Sequence, residues 1–147
     1  MDERTQDPAH QEWMSADEYG RQMPDFTVNL LVRDIGRSIT FYRDVIGATV
    51  QHSDPDFAAL RAGRLEFMIH ADHAYEKHAW QQELKSGARR GLGAELRLFH
   101  VDPDELEKRA RAAGAKILQP AQEKPHGWRD VILEDPDGYT WAIGVPK

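Results

Sequence analysis

Residues 32–50 read VRDIGRSITFYRDVIGATV, and this stretch decides the fold. Ile35, Ile39, Tyr42 and Ile46 recur at helical spacing, Asp34 stands where a carboxylate can cap the first turn, and Gly47 stands where a left-handed residue ends the last. VNLLV (28–32), just before it, is a short run suited to a strand. After it come ATVQHS (48–53) and FAALRAGRLEFMI (57–69), the latter with Ala62-Gly63 as a turn between two strands. The order is β-α-β-β-β.

Working outward, the second half repeats that order. AELRLFHV (94–101) reads as a strand, DPDELEKRARAAG (102–114) as a helix, AKILQP (115–120) as a strand, and RDVILEDPDGYTWAIGV (129–145) as a hairpin turning at Asp137-Gly138. The helix signals are Asp102 as N-cap, Pro103 at the first helical position, Glu105 closing a capping box and Gly114 at the end. Both helices run into a Gly-Ala pair, Gly47-Ala48 and Gly114-Ala115, which points to an internal duplication. The expected fold is α+β: two β-α-β-β-β modules forming paired, curled antiparallel sheets around a cavity. Each sheet is covered on one face by its own helix, so the space between the other faces is where a ligand fits.

The chain divides into an N-terminal extension (1–25), with one short helix through SADEYGRQ (15–22), a first module (26–72), a connecting segment (73–93) and a second module (94–147). The connection reads as a short helix followed by a flexible, basic, glycine-rich link. Its GARRGLG (87–93) lacks the lysine-serine pair and following helix of a phosphate loop.

Composition narrows the function. With 25 acidic against 19 basic residues the net charge is −6, and no basic stripe tracks a phosphate backbone, which argues against nucleic acid. The absence of cysteine removes disulfides, thiolate metal sites and cysteine nucleophiles together. The polar start and the lack of a long apolar run predict a cytoplasmic protein with no membrane partner.

The segment VRDIGRSITFYRDVIGATV, the hairpin EDPDGYTW (134–141) and the strand-helix ELRLFHVDPDELEKRARAAGA (95–115) resemble the vicinal oxygen chelate superfamily, which contains glyoxalase I, extradiol dioxygenases, and fosfomycin and bleomycin resistance proteins. The resemblance covers roughly residues 26 to 146, and its closest side is the bleomycin-resistance-like and glyoxalase-like members. It implies four metal-ligand positions, which fall on Thr27, Glu66, Glu95 and Ala142. Only the two glutamates bind divalent cations well, and transition-metal sites usually include imidazole, so no metal or other cofactor is expected.

Strand alternation supplies the candidate site. Leu65, Phe67 and Ile69, like Leu96 and Leu98, form apolar sets suited to a helix-covered core, so Glu66, Met68 and His70, and Glu95, Arg97 and Phe99, fall on the cavity faces. Thr27, Asn29 and Leu31 share a face of the first strand, and Trp128-Arg129 opens a strand after a loop. Phe41, Tyr42, Tyr139 and Trp141 read as packing residues. The histidines of IHADHAYEKHAW (69–80) match no common metal spacing: His70 is expected in the pocket as a hydrogen-bond donor or general base, His73 in a loop or at the rim, and His78 in solvent. Arg97 is expected to hold at least one of the two glutamates.

The ligand-binding set is therefore Asn29, Glu66, His70, His73, Glu95, Arg97, Phe99, Trp128 and Arg129, with His70 as the candidate catalytic group. The expected function is binding of a small aromatic or cationic organic molecule by a homodimer without the family's intact metal site. The alternative is a metal-dependent glyoxalase- or dioxygenase-type enzyme with a substituted ligand set.

Overall fold

The computed structural model describes residues 13–146, so residues 1–12 of the expected extension lie outside the described part. A short helix α1 (Ala16–Gln22) is capped by the Ser15 hydroxyl, which accepts from the Glu18 N–H. The first module then runs β1 (Asn29–Val32), α2 (Ile35–Phe41), β2 (Thr49–Ser53), β3 (Phe57–Ala62) and β4 (Leu65–Ala71). A short helix α3 (Gln81–Lys85) lies in the connection, and the second module runs β5 (Glu95–Phe99), α4 (Pro103–Ala112), β6 (Ile117–Glu123), β7 (Trp128–Glu134) and β8 (Thr140–Pro146). The two sheets have matching orders, β1-β4-β3-β2 and β5-β8-β7-β6. They are mixed rather than wholly antiparallel: β1 pairs with β4, and β5 with β8, in parallel. The helical crossover carries the chain from β1 to the far edge of the sheet, and two hairpins then bring β4 back beside β1 in the same direction.

Asp34 caps α2 by accepting from the Arg37 N–H at 2.7 Å. From Tyr42 to Ile46 the helix widens into a π-turn, closed by Gly47 at φ 81°. Widening by one residue turns both Phe41-Tyr42 and Val45-Ile46 into the core, where all four are at most 6% exposed, while Ile39 is only partly buried. Asp102 caps α4 by accepting from the Asp104 N–H, but Glu105 pairs with Lys108 instead of closing a capping box.

One hydrophobic core serves both modules. Leu60, Phe67 and Ile69 from the first sheet meet Val131, Leu133, Trp141 and Ile143 from the second, and Tyr42 packs edge-on against both Phe67 and Trp141. Because the helix-side faces converge on this core, the opposite faces are free to build a site. The basic connection is tied down within the fold. Arg90, 7% exposed, donates to both oxygens of Asp72 at 2.6 Å and to the carbonyls of Leu31 and Leu84. Among the described residues no helix is long and apolar enough to cross a membrane.

Candidate functional site

The register of the first sheet places His52, Phe57, Arg61, Glu66, Met68 and His70 on the face away from the core: Phe57 stands opposite His70, Arg61 opposite Glu66, and His52 opposite Ala59. His70 is built into a chain of hydrogen bonds. Asn29 donates from Nδ2 to the Tyr75 hydroxyl at 2.8 Å, so its Oδ1, 2.7 Å from Nδ1 of His70, accepts the proton of that nitrogen. Nε2 of His70 keeps its lone pair. Burial lowers the His70 pKa, with Asp54 opposing more weakly, so the ring is a neutral acceptor at neutral pH. The rings of Phe57 and Tyr75 hold it from two sides, at 4.9 and 5.1 Å between centroids.

Glu66 is claimed by Arg61 across the β3–β4 hairpin. Thr27 donates its hydroxyl to the Glu66 carbonyl at 2.6 Å, and Ala142 is buried in β8. His73 follows β4 in a single 3₁₀ turn and pairs with Asp56, 2.5 Å away. His78, expected in solvent, accepts from the Trp80 N–H and packs its ring on Trp80 at 4.5 Å.

On the second sheet Glu95, Arg97, Phe99, Trp128 and Asp130 share the outward face. Arg97 bonds Glu95 at 2.7 Å, approaches Asp130 at 3.6 Å and lies 5.2 Å from the centre of the Trp128 ring, which Phe99 meets edge-on. The two glutamates thus have separate guanidinium partners, Arg61 and Arg97. Arg129 stands on the other face of β7, paired with Asp104 of α4 at 2.7 and 2.9 Å, so it is not brought together with Trp128. Among the described residues no group of three or more His, Asp or Glu is placed to hold a metal ion.

Sequence reasoning passed over several members of these faces. Asp130, with a side chain 4% exposed, is flanked by Arg97 and by Lys124 at 3.7 Å. It stands two residues beyond Trp128, so the alternation already applied to β4 and β5 would have found it. Phe57 was similarly legible from β3. Trp13 and Tyr19 were not: Trp13 stacks on His52 at 4.8 Å and Tyr19 packs edge-on against Phe57 at 5.6 Å, contacts between distant segments that leave no local pattern. Together the N-terminal segment and the first sheet line a cavity of about 380 Å³. A larger cleft, about 700 Å³, opens between α2, the end of α4 and the β7–β8 turn. Its charges are matched internally, Arg33 with Asp137 at 3.1 Å and Arg89 with Glu134 at 2.7 Å, so it reads as a structural seam.

The two segments that decide the fold meet in the core: Tyr42 of the first helix donates to Asp135 of the DPDG turn at 2.5 Å. The family model of the Glyoxalase/Bleomycin resistance protein/Dioxygenase superfamily matches residues 26–143. The chain belongs to this superfamily. Among solved structures, a glyoxalase/bleomycin resistance protein/dioxygenase family enzyme from Burkholderia phytofirmans PsJN is 28% identical, with a TM-score of 0.68 over 82% of this chain and 97% of its own. A glyoxalase-related enzyme from Fulvimarina pelagi (22% identical, TM-score 0.65, 81% and 85% covered) and a lactoylglutathione lyase from Agrobacterium tumefaciens (19%, 0.60, 83% and 94%) share the fold. A search of curated proteins finds no match.

Proposed function

We propose that this member of the glyoxalase/bleomycin resistance superfamily is a small-molecule-binding protein that works without the superfamily's metal ion. The chemistry of the donor set carries the reading. Thr27 spends its hydroxyl proton on a backbone carbonyl, Ala142 has no donor atom, and Glu66 and Glu95 are each neutralised by an arginine. Two guanidinium-bound carboxylates do not make the shell of oxygen or imidazole ligands that a divalent ion requires. The outward faces instead offer aromatic rings and a few directed polar groups, the composition of an organic-ligand site. His70 with Asn29 on the first sheet, or Phe99, Trp128 and Arg97 on the second, meets the ligand, and the working form is a homodimer.

Elemental mass spectrometry on protein purified without chelators tests this. Less than a tenth of an equivalent of Zn, Ni, Fe or Mn is expected, on the order of adventitious loading. One equivalent, lost in Glu66→Gln or Glu95→Gln, would overturn the proposal.

His70 favours a second reading, an enzyme. A neutral imidazole whose Nδ1–H is fixed by Asn29 presents Nε2 as a general base. On that reading turnover rises with pH through a transition below the ordinary histidine value, and His70→Gln abolishes it.

A further inference from the structure

Helix α1 does more than extend the chain. It lies across the outward face of the first sheet, with Tyr19 only 8% exposed, and forms one side of a cavity of about 380 Å³ against Phe57, Met68 and His70. From its own side the segment 13–23 contributes Trp13, Met14, Tyr19 and Met23. Among the described residues no carboxylate, guanidinium or ammonium lines the space, and its side-chain polar groups are His70, the Trp13 indole and the Tyr19 hydroxyl. Three methionines and three aromatic residues give a deformable, polarisable wall suited to flat rings. The size lies within the range of pockets that hold one- or two-ring molecules. Two donors of the covering segment, Nε1–H of Trp13 and the Tyr19 hydroxyl, are buried without a hydrogen-bond partner among the described residues. The covering position therefore leaves unmet bonds that a ligand oxygen could satisfy by a small shift of the segment.

We propose that the N-terminal segment 13–23 is one wall of a ligand pocket, and that this pocket takes a neutral aromatic molecule of one or two rings bearing a hydroxyl or N–H that donates to Nε2 of His70. The proposal rests on the reading of the chain as a small-molecule-binding protein, and it names the place and the ligand class. Charged aromatics are excluded because nothing in the lining compensates a charge taken out of water.

The test is calorimetric titration of the full chain with 1-naphthol, its methyl ether 1-methoxynaphthalene, 1-naphthalenesulfonate and 1-naphthylmethylammonium. 1-Naphthol is expected to bind most tightly, with the two charged probes weaker by about tenfold or more, and with the ether weaker by about fivefold to tenfold for its missing donor. His70→Phe should erase the preference for naphthol over the ether. Ala16→Trp, at an exposed helix position that faces the cavity, should fill it and abolish binding without loss of fold by circular dichroism; Tyr19→Ala should weaken binding about tenfold, the scale of one lost aromatic contact and hydrogen bond. No binding by any probe, or charged probes binding as well as naphthol, would overturn the pocket. Binding that survives Ala16→Trp and Tyr19→Ala but disappears in Trp128→Ala would also overturn it, while leaving ligand binding on the second sheet, and hence the proposed function, intact.

Discussion

Asp135 is the residue on which the two modules are tied together. Its Oδ1 accepts from the N–H groups of Asp137 and Tyr139, which shapes the turn, and its Oδ2 accepts from Tyr42, which also receives the indole N–H of Trp141 at 3.3 Å. Burial is the dominant effect on its carboxyl and pushes the pKa up to about 6, against the three hydrogen bonds that lower it. A folded value above the ordinary one near 3.8 means that folding takes up a proton between the two. This contribution to stability is complete below the lower value and is lost as pH rises through the upper. Referenced to Asp135→Asn, the wild type should lose about 2 kcal/mol of unfolding free energy between pH 4 and pH 7, read from urea midpoints. A flat difference would contradict the burial argument. Tyr42→Phe removes the donor but not the ring, so it should cost about 2 kcal/mol at neutral pH and less at pH 4, where the carboxyl keeps its own proton.

At the scale of elements, the connecting segment and the β7–β8 pair carry the decisive constraints. Arg90 caps the edge of β1 through the Leu31 carbonyl and grips Asp72 at the end of β4 with both arms of its guanidinium. Replacing it by Met leaves the Asp72 carboxylate and the Leu84 carbonyl without this donor and the Leu31 carbonyl with the Tyr139 hydroxyl alone, and the expected loss is about 3 kcal/mol in chemical denaturation, with Arg90→Lys recovering only part because one ammonium cannot repeat the fork. In β8, a Cβ at Gly144 would meet the Arg129 carbonyl at 2.0 Å and Asp130 Cα at 2.7 Å. Both are backbone atoms of the neighbouring strand. Gly144→Ala should therefore break the pairing of β7 with β8, with a cost of several kcal/mol, at or above ~3, visible as loss of the cooperative thermal transition or a much lower midpoint.

The molecule as a whole joins its sheets through their helix-covered faces, which leaves the other faces to ligands and partners. N-terminal helix α1 covers the first of these, whereas Phe99 on the second is 40% exposed beside Trp128, and Phe26 and Leu92 are each 79% exposed. Among the described residues, edge strands β2 and β6 also lack a neighbour on one side within their sheets. A second copy would cover such surface, and light scattering at concentrations on the order of 10–100 μM should give twice the monomer mass, with Phe99→Glu shifting the equilibrium toward monomer. A monomer throughout that range would remove the dimer from the proposed function.

Much of this architecture was written locally. Asp34 and Gly47, Asp102 and Gly114, and the turn at Asp137-Gly138 act over three or four residues, and alternation along β4 and β5 separates core from outward faces because side chains in a strand have a period of two. For the same reason His70, Glu66, Arg97 and Phe99 could be placed on their faces from sequence alone. The parallel pairing of β1 with β4, the identity of the partners of each glutamate, and the orientation of Arg129 toward α4 depended on which segments the folded chain brings side by side. The cavity was the least legible feature. A helix that reads as a polar extension becomes a wall only because Trp13 finds His52 and Tyr19 finds Phe57 some forty residues away, and contacts across that separation are chosen by the burial of complementary surfaces, not by any pattern within either segment.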